Sequence, residues 1–552
     1  MPTKHYTVKS VSWLDFTKKI TIGSQLSEAE ENKKLIIPRS ACVSKDDTLG
    51  ISDEKAWVCC RNGGRAYILP SYIASEKVKL GNLELDFLIK EITEEEEFGA
   101  YQALTQFHYR GHSLHGRIAR LVIRNFHPVY PKIVGYIELA TPFYMNKPRA
   151  KLLNSSFEAG EISWQAWDMP TMRQYIHTIV RIARCVIYPE FRGLGLGQIL
   201  IKHAMVFAQQ RWQVAKIKPL FIEISADMLK FVPFAQKAGM VFIGQTEGNL
   251  DRVAEDVAYL LKNKARIEDK SLLGNASIGI VDKQISRMNQ AFALMEQQGW
   301  NIDELFIRLK RLSQKGALRD FDLFHEIVSL PKPTYMQGLV PEAVSFIQER
   351  ITDTGADTSV CFPPCHQLEP LEAPVVFEGV SAKYKGRVQR SYQTHAIQQA
   401  FGISPTDIEH TVLKELSFTI KPGEIVLLTG PSGSGKTSLL NIFAGKSLEG
   451  VSGHISWPNN YRPGQFSPIR SQKALIEVLA KKNVEEALQV MGMVGLSDAY
   501  VYLKRYEELS NGQQYRAMLA GLITSAYNLW IADEFCANLD SITANLVSRR
   551  LD

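Results

Sequence analysis

A glycine- and serine-rich run near residue 430 carries the clearest chemistry in the chain. The pattern G-x-x-x-x-G-K-[ST] is matched by Gly430, Pro431, Ser432, Gly433, Ser434, Gly435, Lys436 and Thr437. Glycines let the backbone curl so that successive N–H groups face a phosphate, and a following helix N-terminus adds partial positive charge. In such a loop Lys436 would bridge the terminal phosphates of a nucleotide, and the Thr437 hydroxyl would bind Mg²⁺.

The elements on either side of this loop are the ones that it requires. The apolar run 425–428 predicts a strand before the loop, and residues 438–444, which start with Ser438, predict a helix after it. A strand, a glycine loop and a helix in this order distinguish a phosphate-binding loop from an ordinary Gly/Ser-rich turn. We therefore expect ATP and Mg²⁺ to bind here.

A second glycine-rich turn also lies between a predicted strand and a predicted helix. The strand runs to Val186 and Ile187, and the helix covers residues 198–207. The turn between them consists of Arg192, Gly193, Leu194, Gly195, Leu196 and Gly197. A glycine loop at a helix N-terminus is again suited to an anion such as a pyrophosphate.

This sequence of strand, glycine turn and helix resembles motif A of the GNAT acetyltransferases. The resemblance covers roughly residues 85–250, with a further strand predicted at 221–225 and a helix–glycine–strand unit at 231–244. It implies that backbone N–H groups of residues 192–197 hold the pyrophosphate of acetyl-CoA or another acyl-CoA. It also implies that Val186 and Ile187 lie along the pantetheine.

The acid–base groups of this GNAT-like region are less clearly marked. Many GNAT enzymes carry a tyrosine four residues before the closing glycine, where this chain has Ala235. Either another group protonates the departing thiol, or the domain binds without reacting. Glu223 is the candidate catalytic carboxylate, and Asp227, His108 and Tyr109 are further candidates.

The C-terminal third resembles the ABC ATPases through several motifs in a fixed order. After the phosphate loop come the sequence LSNGQQ at 509–514, an apolar strand that ends in Asp533 and Glu534, and the sequence ANLD at 537–540. These resemble the ABC signature, the Walker B strand and the D-loop. The resemblance implies that Asp533 serves the Mg²⁺ shell and that Glu534 polarises the attacking water.

Further ATP-site residues follow from the same resemblance. Tyr384 falls where the family stacks an aromatic ring on adenine, and the Q-loop glutamine is Gln465 or Gln472, with Gln465 preferred. The signature and D-loop residues implied to close a nucleotide site are Ser510, Gly512, Gln513 and Asp540. In this family each signature closes the ATP site of another subunit, so we expect a head-to-tail homodimer around two ATP molecules.

The sequence stops at Asp552, about a dozen residues after the D-loop. The family's switch histidine lies further along, so we expect either a fragment or an incomplete ATPase. This puts autonomous hydrolysis in question, although not nucleotide binding.

Bulk composition fits a multidomain α/β protein. The chain has 552 residues, 45% of them hydrophobic and 22% charged, and seven cysteines at irregular spacing. We expect a cytoplasmic protein, because the sequence has no secretory signal, no uninterrupted apolar run long enough to span a membrane, and an odd cysteine number typical of a reducing compartment. The net charge of +6 and the basic stretch 110–120 permit contact with nucleic acid, although a solvated loop explains that stretch equally well.

These features predict five parts. They are a small β-rich region at 1–80, a GNAT-like mixed α/β domain at 81–250, a helical segment at 251–350, a linker at 351–373 and a P-loop ABC ATPase domain at 374–552. The linker contains Cys361, Cys365 and His366, which lack a second pair of ligands for zinc.

The favoured function is an ATPase fused to an acyltransferase that acts on nucleic acid or another macromolecule. Two alternatives stay open. The first is a nucleotide-gated switch with a non-catalytic GNAT domain, which Ala235 favours. The second is the ATPase subunit of a transporter, which would need a separate membrane partner.

Overall fold

The computed structural model describes residues 3–24, 32–80, 83–107, 114, 116–128, 130–230, 232, 234–248, 293–312, 331–354, 369–386, 391–402, 408–446, 450–480 and 484–551. It divides into two compact units. The first comprises residues 1–76, 86–187 and 195–361, and the second comprises residues 77–85, 188–194 and 362–552. None of the described helices is long and apolar enough to cross a membrane.

The first unit begins with a six-stranded sheet. Its strands are β1 (Lys4–Trp13), β2 (Thr17–Ser24), β3 (Lys33–Pro38), β4 (Thr48–Ser52), β5 (Lys55–Cys59) and β6 (Arg65–Leu69). They are ordered β3-β2-β1-β4-β5-β6. Alternate residues such as Ile20 and Ile22 on β2 point into an apolar core, while their neighbours face outwards. This period of two is what a half-buried strand requires.

The next strands build the central sheet and a small hairpin. They are β7 (Ile73–Leu80), β8 (Leu83–Glu91), β9 (Ile118–Asn125), β10 (Ile133–Ala140), β11 (Phe157–Ala159), β12 (Ile162–Trp164), β13 (Ile179–Ile187), β14 (Phe221–Ser225), β15 (Val241–Gln245) and β16 (Pro333–Gly338). The central sheet has eight strands in the order β15-β16-β14-β13-β10-β9-β8-β7, and β11 pairs with β12. All eight residues of β10 are buried, as expected for a strand covered on both faces.

Helices cover the central sheet. Those of the first unit are α1 (Glu95–Leu104), α2 (Lys147–Leu153), α3 (Met169–Tyr175), α4 (Leu196–Arg211), α5 (Phe234–Lys237), α6 (Ile302–Leu312) and α7 (Pro341–Thr354). Helix α4 buries Leu200, Ala204 and Phe207. An aromatic cluster that includes Trp164, Phe221 and Phe346 packs with residues of α2, α3 and α7.

Two strands in the middle of this sheet run parallel, and one of them extends beyond the other. β13 pairs with β14 from Ile179 opposite Phe221 to Ile182 opposite Ile224. β14 ends at Ser225, whereas β13 continues to Ile187. Along this part β13 stays paired with β10, and a bulge shifts the register beside Glu138. β13 therefore extends beyond β14 just before the turn that leads into α4.

The second unit contains a three-stranded antiparallel sheet. Its strands β17 (Val375–Gly386), β18 (Ile408–Ile420) and β19 (Val451–Ser456) are ordered β18-β17-β19. Helix α8 (Tyr392–Phe401) lies between β17 and β18 in the chain, and helix α9 (Lys436–Phe443) follows β18. The core joins the sheet to α9 through Phe377, whose ring centroid lies 5.0 Å from that of Phe443.

The rest of the second unit is a two-stranded parallel sheet with a helical cluster. The strands are β20 (Pro463–Gln465) and β21 (Leu529–Ile531). The helices are α10 (Leu475–Leu479), α11 (Val484–Met493), α12 (Ala499–Leu503), α13 (Asn511–Ile523) and α14 (Ser541–Leu551). They share one apolar core that includes Met491, Ala517 and Val547.

One sequence prediction of secondary structure is wrong. No strand forms over 425–428, and the side chains of Ile425 and Leu427 are 85% and 84% exposed. An apolar run becomes a strand only when a neighbouring strand satisfies its backbone, and no described strand pairs with it. Within the part of segment 251–350 that the structure describes there is also a strand that was not predicted: β16 lies between β14 and β15 and buries Tyr335 and Met336.

Candidate nucleotide-binding site

The loop before α9 has the backbone shape that its sequence predicts. Gly430, Gly433 and Gly435 have φ angles of 154°, 79° and 86°. A side chain at position 435 would begin 2.7 Å from the carbonyl oxygen of Val412, so only glycine fits there. The first N–H groups of α9 have no partner within the helix, and the positive end of its dipole adds to their attraction for an anion.

The Lys436 side chain lies along the same loop. Its Nζ donates hydrogen bonds to the carbonyl oxygens of Gly430 at 2.8 Å and Pro431 at 2.9 Å. The ammonium group is therefore held on the loop side of α9. Ser432 and Ser434 are exposed on the loop, and Ser438 lies in the first turn of α9.

The loop meets the predicted Walker B segment at one contact. The Thr437 hydroxyl donates a hydrogen bond to Oδ2 of Asp533 at 3.2 Å, across 96 positions of sequence. Mg²⁺ in nucleotide sites is usually bound through one or two protein oxygens and the substrate phosphates. This oxygen pair suits that arrangement. Among the described residues there is no cluster of three or more His, Cys, Asp or Glu that could hold a metal without a substrate.

Two further predicted residues lie near the end of β21. Glu534 is exposed and has a φ of 53°, unusual for a residue other than glycine. Gln465 pairs with Ile531, two residues before Asp533. The competing glutamine, Gln472, accepts a hydrogen bond from Arg505 at 2.9 Å. The position of Gln465 suits the Q-loop better.

The predicted signature forms the start of α13. Ser510 caps this helix, accepting a hydrogen bond from the N–H of Gln513, while the Gln513 side chain accepts one from the N–H of Ser510 at 3.1 Å. This reciprocal pair is a capping box. A side chain at Gly512 would lie 3.4 Å from the carbonyl oxygen of Asn538, so the signature and D-loop segments are close neighbours within one chain.

Two residues connect these motifs to the fold. The Asp540 carboxylate accepts hydrogen bonds from the N–H groups of Ile542 at 3.1 Å and Thr543 at 3.0 Å, capping α14. The Tyr515 hydroxyl accepts a hydrogen bond from the N–H of Cys536 at 2.9 Å. The sequence analysis missed Tyr515, whose only signal is an aromatic residue just after the signature. Tyr384 lies on β17 opposite His410.

The second glycine turn leads into α4. Gly193 and Gly195 have φ angles of 96° and 81°, and Gly195 is the N-cap of α4. No atom lies within 4 Å of where a side chain at Gly195 would begin. Val186 and Ile187 lie on the part of β13 that extends beyond its pairing with β14.

The candidate acid–base groups near this turn occupy different environments. Glu223 is buried on β14, and its carboxylate accepts a hydrogen bond from Arg149 at 2.8 Å. Burial raises the pKa of Glu223, while the charges of Arg149 and Arg181 oppose that change. Asp227 lies 3.6 Å from Lys230 and 3.7 Å from Lys332. His108, Tyr109, Cys361, Cys365 and His366 lie outside the described residues.

Comparison with known proteins identifies the second unit. The family model described as ABC transporter matches residues 413–537. The cytochrome c biogenesis ATP-binding export protein CcmA of Nitrosomonas europaea is 33% identical over 165 residues, covering 26% of this chain and 76% of that protein. The taurine import ATP-binding protein TauB of Pelagibacter ubique is 34% identical over 153 residues, covering 24% of this chain and 56% of that protein.

A solved structure is also similar to this segment. It is described as the dimeric structure of MJ0796, a bacterial ABC transporter cassette, and it aligns with a TM-score of 0.25 and 22% identity over 32% of this chain and 81% of that one. The residues that the family model matches include the phosphate loop and the segments predicted as signature and Walker B strand. The chain therefore belongs to the ABC transporter family, of which it carries the ATP-binding domain.

Proposed function

We propose that this protein is an ATP-hydrolysing ABC protein fused to a GNAT-type acyltransferase. The ATPase half is supported most directly by the contact between Thr437 and Asp533, because two segments far apart in sequence bring together the two oxygens that Mg²⁺ requires. Bound Mg²⁺ would neutralise charge on the phosphates during transfer. Lys436 would hold the terminal phosphates, and Glu534 would orient the attacking water.

The ATPase half is tested with Lys436→Ala, measured by calorimetric titration with ATP and Mg²⁺. Removing the ammonium should weaken ATP binding at least tenfold, because no other described lysine or arginine reaches the loop carbonyls that Lys436 contacts. Lys446→Ala, near the far end of the same helix, is the matched control and should bind as the unchanged protein does. Equal binding by both variants would refute the assignment.

The acyltransferase half is supported by the shape of the central sheet. β13 and β14 run parallel, β13 extends beyond its pairing with β14, and the glycine turn and the N-terminus of α4 follow at the end of β13. The amides of an extended pantetheine arm would pair with the part of β13 around Val186 that lies beyond this pairing. The N–H groups at the start of α4 would bind the pyrophosphate.

Gly195→Leu tests this half. Its side chain would enter the open space before α4, so acetyl-CoA binding should be lost. Gly63→Leu is the matched control, because Gly63 also has a positive φ of 69° and no atom within 4 Å of the new side chain. Loss of acetyl-CoA binding in both variants would point to strain from the positive φ, and binding in both would refute the pyrophosphate site.

A non-catalytic GNAT-like domain is the second candidate. Ala235 is fully buried on α5, so it offers no proton donor at the position where the family usually has tyrosine. The Glu223 carboxylate is already paired with Arg149. Acetyl-CoA binding without transfer to any acceptor would favour this candidate, a nucleotide-gated switch.

A transporter ATPase subunit is the third candidate. It is favoured by the similar proteins CcmA and TauB, which are described as ATP-binding proteins for export and import. Copurification of the full chain with an integral membrane protein would favour it over a soluble homodimer that acts on a macromolecule.

A further inference from the structure

A cleft of about 830 Å³ opens in the first unit between the six-stranded sheet and the central sheet. It lies at the end of the β1–β2 hairpin and beside the start of β9. Its charged and imidazole side chains are Lys18, Arg39, Arg117, Arg120, Arg173 and His177, and no carboxylate is found among the described residues that line it. A cleft of this size holds a ligand as large as a few linked nucleotide units or a drug-sized molecule.

Three of these cations interact with neutral groups. Lys18 donates to the carbonyl oxygen of Ala41 at 2.7 Å, Arg39 donates to that of Leu14 at 2.9 Å, and Arg117 donates to the Ser44 hydroxyl at 2.6 Å. None of the three forms an ion pair with another described residue. Their charge is therefore open to neutralisation by a ligand.

Two carboxylates lie behind the cleft wall. Glu138 is buried and accepts hydrogen bonds from Arg120 at 2.8 Å and from Arg184 at 3.1 Å, so Arg120 is already neutralised. Asp47 is buried and accepts a hydrogen bond from the N–H of Ser44 at 2.7 Å, and its charge acts on Arg117. The cations other than Arg120, which are Lys18, Arg39, Arg117 and Arg173, still outnumber these two buried carboxylates.

Burial, with a smaller contribution from nearby arginines, disfavours positive charge on two groups of the cleft. Burial, together with the charges of Arg117 and Arg39, lowers the pKa of Lys18 to about 8, despite opposing effects from Cys42 and Glu91. Burial, and then the charge of Arg117, lowers the pKa of His177. Positive charge is disfavoured at both sites in the free protein, so a bound anion would relieve it.

One of the residues that line the cleft, His177, has an unsatisfied polar atom. Nδ1 of His177 is buried and has no hydrogen-bond partner among the described residues. A buried polar atom without a partner costs free energy, and native proteins usually supply one.

The outer rim of the cleft carries aromatic rings. Trp13 is 63% exposed and Tyr144 is 40% exposed. Trp13 lies close to two of the cations, with its ring centroid 4.3 Å from Nζ of Lys18 and 5.6 Å from the guanidinium carbon of Arg39. Exposed aromatic rings beside unpaired cations are the combination that binds bases and phosphates together.

We propose that this cleft binds a segment of single-stranded nucleic acid, with its phosphates on Arg39, Arg117 and Arg173 and a base stacked on Trp13. A single strand is favoured over a duplex because only unpaired bases can stack on a side chain. The proposed function includes action on a macromolecule, and this cleft would bind that macromolecule. In this respect the proposal rests on the proposed function. It needs neither ATP nor acyl-CoA.

The test is fluorescence anisotropy of the full chain with labelled dT₂₀, U₂₀ and a 20-base-pair duplex, each measured over a range of salt concentrations. The double variant Arg117→Gln with Arg173→Gln should weaken single-strand binding about tenfold or more. The slope of log affinity against log salt should become shallower by about 1.4, or about 0.7 for each lost phosphate contact. Trp13→Ala should weaken binding at least fivefold with an unchanged slope, because stacking carries no charge.

Matched controls lie on the same unit but away from the cleft. Lys55→Gln lies at the opposite end of the six-stranded sheet, and Phe126→Ala removes a 57% exposed ring at the far end of β9. Both should bind as the unchanged protein does. Equal loss in the controls, equal binding of the duplex, or displacement of the oligonucleotide by millimolar inorganic phosphate alone would overturn the proposal.

ATP and acetyl-CoA titrations of the same variants separate this proposal from the proposed function. Unchanged ATP and acetyl-CoA binding with lost oligonucleotide binding supports the cleft on its own. Retained oligonucleotide binding in the cleft variants refutes it, whatever the two other ligands do. A preference for U₂₀ over dT₂₀ would assign the cleft to RNA.

Discussion

Among single residues, the proposed ATP site depends on a few side-chain oxygens and one ammonium group that the fold places close together. The hydroxyl of Thr437 and the carboxylate of Asp533 are the clearest case, because their 3.2 Å contact joins two segments that the sequence separates widely. Lys436 and the glycines of the same loop complete the phosphate side of that site. Each of these groups can be changed with little effect on packing, since all of them are at least partly exposed.

Thr437→Ala and Asp533→Asn test the Mg²⁺ role. Each should weaken ATP binding at least tenfold, about 1.4 kcal/mol, when Mg²⁺ is present, and should change it little when EDTA removes the metal. The reason is that both side chains act through Mg²⁺. Calorimetric titration in the two buffers measures the difference, with Lys446→Ala as control. An equal loss in EDTA would show that both residues contact the nucleotide directly.

Glu91 gives a prediction about pH. Burial raises its pKa to about 7, although the Arg211 charge and the Tyr72 N–H oppose this. The folded state therefore holds a proton between about pH 4.5 and 7 that the unfolded state has released, and stability falls as pH rises through this range.

Glu91→Gln removes this dependence, because glutamine does not titrate. Relative to the unchanged protein, the variant should gain roughly 1–3 kcal/mol as the pH is raised from 4.5 to 7.5. Urea unfolding, followed through the first unit's tryptophans at several pH values, measures the gain. A constant difference across this range would show that Glu91 is ionised throughout.

At the scale of elements, glycines and helix caps place the functional groups. Gly435 lets α9 start close to β18, Gly195 adopts a positive φ as the N-cap of α4, and Ser510 fixes the start of α13. β13 extends beyond β14 just before the turn that leads into α4. These are local features whose sequence signals are strong, because positive φ and capping are restricted to a few residue types.

Ser510→Ala tests the capping box. The loss of the cap should destabilise the second unit by about 1 kcal/mol, and Ser510→Thr should retain most of it. If Ser510 also contacts nucleotide on a partner subunit, ATP hydrolysis should fall by more than this loss of stability explains. Thermal unfolding and phosphate release, measured on both variants, separate the two effects. Unchanged hydrolysis in Ser510→Ala would remove the residue from the ATP site.

The helices and strands that could be predicted from the sequence are those with local sequence signals. The predicted strand at 221–225 matches β14, and the helix predicted at 198–207 lies within α4. Prediction failed where pairing decides the outcome, since the run 425–428 is apolar but has no described strand beside it. β16 was missed because it joins the sheet through partners far away in sequence. The basic cleft was only partly indicated, because its cations come from four separate stretches of chain.

At the scale of the whole molecule, the expected assembly is a head-to-tail pair. One chain carries one phosphate loop and one signature, so a second copy is needed to close each ATP site in the arrangement typical of the family. This follows from the family resemblance and stays a prediction. The 62.2 kDa chain gives a clear size difference between one copy and two.

Glu534→Gln tests the assembly. Loss of the carboxylate should slow hydrolysis, so that ATP stays bound and holds the two copies together. Light scattering after gel filtration in ATP and Mg²⁺ should give twice 62.2 kDa for this variant and 62.2 kDa without nucleotide. Combining it with Lys436→Ala should abolish the dimer. A single copy under all these conditions would contradict the head-to-tail pair.

We propose that one chain carries two independent cradles of backbone N–H groups, one for ATP and one for acyl-CoA. Side-by-side calorimetric titration of the full chain with ATP plus Mg²⁺ and with acetyl-CoA shows whether both ligands bind. We expect two saturable isotherms, each unaffected by a saturating amount of the other ligand. Heat from ATP alone, with none from acetyl-CoA at millimolar concentration, would contradict the claim for the GNAT-like half.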